Sequence, residues 1–405
     1  MWTGRLEFDA DRDADIFSAV PAAPAVFLLR GADANSEPYV SKTANLRRRL
    51  QRLLGPAKAR TRKLNLRDRV RLIEYTPTGS DFESGFFLYK VLRAEFPRTY
   101  GARLRFRFAP LVKLHLENAY PRASITTRLG RLHGRSLYYG PFQSRMAAEK
   151  FMNDSLDFFK IRRCVDDLHP DPSFPGCIYS EMKMCLAPCF KGCSDAEYFL
   201  EVGRVQAYFD SAGESLAHEF SSQREAASAN LAFEDAAATH ARLEKLKPVL
   251  GQLPEIVRRL DRFSALMVQP SQMADSVRLF RIGDGGIADP VTFGIQPAEH
   301  AKSQSMESRV QEALNEISSA EKMSALETME HLALLRRWYY RSSRVGEIFF
   351  ADEKGLLPMR RIVRGIGRVV KGEGPEEASS RPSELNTQIT DATTPPLQKL
   401  EEKET

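Results

Sequence analysis

The sequence predicts an α+β fold assembled from several modules, and three observations carry that expectation. Short apolar runs bounded by turn residues alternate with amphipathic stretches, without the regular βα repeat of a parallel sheet. From Ser194 to about Pro248 the pattern is helical throughout. All five cysteines lie between Cys164 and Cys193, at the junction of these two textures. With 405 residues and 42% hydrophobic composition, the chain can bury real cores in about two to four domains.

The elements follow in order. AVFLLR (25–30) is a short strand, GADANSEP a turn-rich loop and YVSKT (39–43) a second strand, which together form a β-hairpin signal. ANLRRRLQRLLG places Leu46, Leu50 and Leu53 at helical spacing, with arginines on the other face, and stops at Gly55-Pro56. RVRLIEYTP reads as a third strand, and DFESGFFLYKVLRAEFPRT as a helix ended by Pro97. Residues 101–125 are strand-like and basic; the chain then turns at Gly140-Pro141 and enters an amphipathic helix leading to the cysteines. Beyond them, Leu216, Phe220, Leu231, Phe233, Leu243 and Leu246 form the apolar pattern of a helical hairpin or short coiled coil. Such a hairpin has little core of its own, so a partner is expected.

After Asp261, FSALMVQP, VRLFRIGDGGI and PVTFGIQ read as strands, with Gly283-Asp284-Gly285-Gly286 as a hairpin turn. A helical segment covers about 302–342, followed by one more strand and a basic, glycine-punctuated end. The stretch from Gly372 onward is rich in Pro, Ser, Thr and Glu and reads as a disordered tail. There is no internal repeat.

Cys164, Cys177, Cys185 and Cys189 are separated by 12, 7 and 3 residues, the short uneven spacing of thiolates gathered around one soft metal centre. Iron–sulfur and zinc both suit four thiolates. Disulfides are the alternative, but MWTGRLEFDADRDADIF is acidic and lacks the apolar core of a signal peptide, so a cytoplasmic address is expected. No run reaches the length of a membrane span. The net charge of +6 is concentrated: Arg47, Arg48, Arg49, Arg52, Lys58, Arg60, Arg62, Lys63, Arg67, Arg69 and Arg71 are opposed only by Asp68. That density suits a phosphate-tracking surface better than a solvated face of mixed sign.

The segments AVFLLR, YVSKTANLRRRL, YYGPFQSRMAAEKF, the cysteine spacing and ASANLAFEDAA occur in this order. Together, over roughly residues 20–250, they resemble the UvrC family of bacterial nucleotide excision repair. The resemblance implies a GIY-YIG nuclease domain with a small mixed sheet, a region able to hold a [4Fe–4S] cluster on Cys164, Cys177, Cys185 and Cys189, and a UVR hairpin that docks a UvrB-like protein. On that hairpin Leu231, Phe233, Glu234, Ala236 and Ala237 would face the partner; an internal bundle is the alternative. The expected organisation is a nuclease-like domain at 15–105, a strand-turn-helix linker at 106–163, the cysteine cluster at 164–193, the hairpin at 194–250, an α+β C-terminal domain at 255–371 and the tail at 372–405. No carboxylate constellation marks the family's second nuclease in this chain, so a shortened homologue is expected.

GIY-YIG chemistry, as the resemblance implies it, needs a tyrosine or its relay to activate water, cations to neutralise the phosphorane and a glutamate to hold Mg²⁺ or Mn²⁺. Tyr39 and Lys42 in Tyr39-Val40-Ser41-Lys42, and Arg49 ten residues after Tyr39, match that pattern. Elsewhere the pattern is broken. Phe27 stands where the first motif has tyrosine, Leu53 replaces a tyrosine, Tyr100 replaces an asparagine and Leu88 falls on the metal-binding glutamate. Loss of that carboxylate removes stabilisation of several kcal/mol in order of magnitude. The expectation is a domain that binds DNA and cuts weakly or not at all, with substitution by Glu83 or Glu95 as the alternative. Glu83 would project about 140° from Leu88 on an ideal helix.

For the remaining candidates, Tyr138, Tyr139 and Phe142 suit packing under the Gly-Pro turn more than base stacking. Arg145 is a candidate phosphate contact, Cys193 a spare thiol, and Arg360, Arg361, Arg364 and Arg368 a second basic patch. The seven histidines show no ligand spacing.

Overall fold

The computed structural model describes residues 2–33, 36–56, 64–297, 304–317 and 323–375. Within them, 1–153, 162–169 and 256–375 form one compact unit, and 154–161 with 170–255 form another. The chain is α+β, with small antiparallel sheets and helices.

The first unit opens with β1 (Gly4–Glu7) and α1 (Asp13–Ala19), elements hidden in a segment whose sequence shows chiefly acidity. Next come β2 (Ala25–Gly31), β3 (Tyr39–Thr43), α2 (Leu46–Leu54) and β4 (Val70–Pro77), each where the hydrophobic pattern places it. They form an antiparallel sheet in the order β1-β4-β2-β3. Phe27 pairs with Ser41 across β2 and β3, and with Tyr75 across β2 and β4. Asn45 caps α2, its side chain accepting from the Arg48 N–H. Leu46, Leu50, Leu53 and Leu54 bury against Phe17, Phe27, Leu29 and Ile73 to make the core on this face.

Helix α3 (Asp81–Glu95) covers the opposite face of the sheet and is capped by Ser80. The stretch expected to be strand-like begins as a short helix, α4 (Tyr100–Leu104), and only then enters β5 (Leu111–Leu114), β6 (Ala123–Thr126) and β7 (Leu137–Gly140). Tyr138, Tyr139 and Phe142 are buried, which settles the turn aromatics as packing residues. Helix α5 (Arg145–Leu156) follows.

The second unit contains α6 (Ile178–Glu181), α7 (Asp195–Asp210), α8 (Glu214–Ala229) and α9 (Phe233–Gly251). A Ser194–Glu197 capping box starts α7. Gly213, at φ +95°, turns the chain into α8; a Cβ there would stand 2.0 Å from Leu250. Leu216, Phe220, Leu243 and Leu246 are buried between the helices as the pattern predicts. Leu231 and Phe233, assigned to the same apolar pattern, are instead 72% and 65% exposed at the α8–α9 connection.

The first unit resumes with β8 (Arg258–Arg259), β9 (Ser264–Pro270), β10 (Ser276–Gly283), β11 (Gly286–Ile287), β12 (Val291–Gly294), α10 (Met306–Glu316), α11 (Ala325–Tyr339), β13 (Glu347–Phe350) and α12 (Met359–Lys371). The β10–β11 hairpin turns on Asp284 and Gly285, both at positive φ. The glycine-punctuated end forms a helix: Ile362, Ile366 and Val369 share one buried face, and the missing Cβ of Gly365 lets Phe349 approach. The disordered-tail expectation falls almost wholly on 376–405, outside the described residues. No helix among the described residues is long and apolar enough to cross a membrane.

Candidate functional site

The N-terminal sheet (β1–β4) and the C-terminal sheet of the first unit meet through α3. Phe82 and Phe86 set their rings edge-on to Phe280 at 5.2 and 5.9 Å, and Tyr89 lies edge-on to His331 at 5.3 Å. Polar contacts follow the same seam. Glu330 accepts from Tyr89 at 2.8 Å and from Tyr100 at 2.7 Å, Arg93 forks onto Glu327, and Lys90 Nζ is 2.5 Å from Asp289. Burial and the Glu330 carboxylate both keep the phenols protonated, pushing Tyr100 up to about 12. Tyr100, at the position expected to hold asparagine, therefore anchors the C-terminal half.

The three candidate catalytic residues divide between two faces of the sheet. Tyr39 packs with Phe27 on the α2 side, and its hydroxyl accepts from Arg49 Nη2 at 2.8 Å. The Nε of Arg49 is buried without a hydrogen-bond partner among the described residues. Residues along a strand alternate faces, and Lys42 turns to the α3 side, 2.5 Å from Asp81 Oδ1. The other oxygen of Asp81 accepts from Arg341 at 2.5 Å. Although partial burial opposes its charge, Lys42 and Arg341 hold the Asp81 carboxyl below the usual carboxylate range.

Beside Lys42 lies a cavity of about 370 Å³ in the first unit, with Leu88 and Gly85 of α3 on one wall and Arg336, Arg337 and Tyr340 on another. Arg105 and Arg107 close a third side. Among the described residues, no aspartate or glutamate lines it. Glu83 and Glu95, the alternative ligands weighed from the sequence, are committed elsewhere. Glu83 is buried, 2.8 Å from Arg278, and accepts from the Gly79 N–H at 2.7 Å. Burial nonetheless raises its pKa. Glu95 holds Arg30 through two hydrogen bonds of 2.5 and 3.1 Å. The residues around Leu88 therefore do not fit a divalent-metal site, and no step is assigned to such an ion.

The basic surface is thinner than the sequence suggests. Arg47 donates to the carbonyls of Ser18 and Val20, at the end of α1, and Arg67 to those of Ala10 and Leu54. Both fasten the fold. Arg145 pairs with Glu149 at 2.7 Å. Arg48 and Arg52 stand exposed on α2, while Lys58, Arg60, Arg62 and Lys63 lie outside the described residues.

The five cysteines are half-buried and none forms a disulfide. Cys164 belongs to the first unit and the others to the second. Cys177 caps α6, Cys185 Sγ accepts from the Ala187 N–H at 3.3 Å, and burial first, then Glu197, Asp195 and Cys189, raise the Cys193 thiol. Among the described residues, no three His, Cys, Asp or Glu side chains converge to hold a metal.

Sequence comparison adds a likeness to known proteins. The UvrC/Cho excinuclease middle domain matches residues 109–208, from just before β5 through most of α7 and across the cysteine segment. The chain is UvrC-like. It is 29% identical to UvrABC system protein C of Alcanivorax borkumensis over 52% of this chain and 34% of that protein. The corresponding protein of Rickettsia bellii is 27% identical over 62% of this chain and 39% of its own length. That of Stenotrophomonas maltophilia is 29% identical over 56% and 36%. The UvrC-like chain thus aligns with little more than a third of these curated relatives, and no solved structure matches it.

Proposed function

We propose that this UvrC-like chain is a DNA-binding subunit of nucleotide excision repair whose GIY-YIG-like domain engages the duplex without completing hydrolysis. The observation that carries it is the cavity beside Lys42: Leu88 replaces the carboxylate, no other acid lines the space, and Glu83 and Glu95 are held by arginines. Exposed Arg48 and Arg52 on α2 supply phosphate contacts. Leu231 and Phe233, large and exposed at the hairpin connection beside Glu234, Ala236 and Ala237, support docking of a UvrB-like protein there.

Cys164, Cys177, Cys185 and Cys189 are the ligands of a structural [4Fe–4S] cluster or zinc in the same proposal, supported by their spacing and soft-donor chemistry. No catalytic step depends on them.

The test is nicking of an end-labelled, lesion-bearing duplex with Mg²⁺ or Mn²⁺ and the UvrA and UvrB proteins, alongside a binding assay. Binding without incision is expected. A second reading, an endonuclease making one incision beside the lesion, is favoured by the intact Tyr39–Arg49 hydrogen bond. Incision that disappears in Lys42→Ala would establish that reading instead.

A further inference from the structure

We propose that the cavity between α3 and α11 is a binding site for the phosphate group of a single nucleotide. Among the described residues, five cations line it, Lys42, Arg105, Arg107, Arg336 and Arg337, and no carboxylate does. Lys42 is already neutralised by Asp81. Arg105, Arg107 and Arg337 have no side-chain partner among the described residues, and Arg336 spends its donors on the Gln143 and Arg107 carbonyls. Burial, together with the neighbouring Arg107 charge, works against the Arg336 cation. Like charges held around one space without an anion repel, and a bound anion converts that repulsion into attraction.

The shape and the remaining lining narrow the ligand. A volume near 370 Å³ is that of a small-molecule site and not of a duplex groove. Guanidinium forks match the several oxygens of a phosphate better than a lone point charge does. Leu88, Leu104 and Phe106 provide an apolar side on which a base can lie, and the Phe106 ring is fixed by Tyr89, edge-on at 5.8 Å. Replacement of the metal-binding carboxylate by Leu88 is what opens this chemistry, because an acid at that position would repel the phosphate. The ligand is therefore a phosphorylated nucleoside, either free or at the phosphorylated end of a DNA strand. This goes beyond duplex binding through α2: either can hold without the other.

The experiment is calorimetric titration of the full chain with dTMP and thymidine, and with short oligo(dT) carrying a 5′-phosphate or a 5′-hydroxyl. Binding of a lesion-bearing duplex is measured on the same preparation, so failure of the pocket and failure of the repair reading are told apart. The phosphorylated member of at least one pair is expected to bind about tenfold tighter or more, the worth of a charge-assisted hydrogen bond. The pair that shows the preference identifies the source. In the double variant Arg107→Ala/Arg337→Ala, at two exposed positions, that preference is expected to vanish while thermal stability is kept. Equal affinity for both members of both pairs, or a phosphate preference unchanged in the double variant, would overturn the proposal.

Discussion

Lys42 Nζ lies 2.5 Å from Asp81 Oδ1, so the lysine expected from the sequence to be a catalytic cation is held by a carboxylate at the start of α3. Asp81 also takes Arg341, just past the end of α11, and thereby ties β3, α3 and the C-terminal half together. The contact is largely exposed, and such pairs add little to stability. Its effect is on charge: a lysine facing a carboxylate is a weaker phosphate contact than a free one.

Asp81→Asn is accordingly expected to tighten DNA binding and to steepen its salt dependence by up to about one unit in the slope of log K against log salt. Binding isotherms over a salt series measure this. A variant with unchanged slope would show that Lys42 does not reach DNA.

Phe27 is fully buried, paired with Ser41 and packed 6.1 Å from the Tyr39 ring. A tyrosine at this position, as the resemblance implies, would put a hydroxyl into an apolar core. Phe27→Tyr is expected to cost about 1–3 kcal/mol in chemical denaturation and to restore no nicking. A neutral or active variant would refute the view that the core has been rebuilt around phenylalanine.

His331 is buried, and its Nδ1 accepts from the Ile287 N–H at 2.9 Å, which requires the neutral ring. Burial pushes its pKa down to about 4 from an ordinary 6.5. The unfolded chain therefore takes up a proton below pH 6.5 that the folded chain refuses until about pH 4. The stabilisation is complete above this window and lost progressively as pH falls through it. His331→Asn keeps an acceptor without the titration, so melting temperatures measured from pH 7 to pH 4 are expected to fall less steeply than in the parent chain.

Anaerobic reconstitution with iron and sulfide is expected to give bound iron with visible absorption that is lost in Cys185→Ser and Cys189→Ser and retained in Cys193→Ser. Zinc retained on the same residues, by metal analysis, would identify the other soft metal. A chain that binds neither would remove the cysteine segment from the list of metal sites.

Local pattern was enough to place β2, β3, α2, β4 and α3, because each buries one face at its own period, 2 for strands and 3.6 for helices. It also marked the hairpin turn at Asp284-Gly285, where positive φ favours exactly those residue types. It missed β1, whose four residues gain their order from pairing with β4, and α12, whose glycines look like breaks until Phe349 is packed against Gly365. Phe27 and Leu88, at positions where the resemblance implies tyrosine and glutamate, were readable as identities in the chain.

What the sequence by itself determined is the set of local elements, the segment that carries every cysteine and the identities at positions 27 and 88, all of which depend on residue type and short-range spacing. What only the tertiary structure decided is who pairs with whom: that Lys42 is held by Asp81, that Glu83 and Glu95 are taken by arginines, that Arg47 and Arg67 fasten backbone, and that α11 brings two more arginines beside Leu88. Charge and hydrogen-bond partnership depend on distance in space, and these partners come from elements far apart in the chain. A single sequence without its fold carries no term for that proximity.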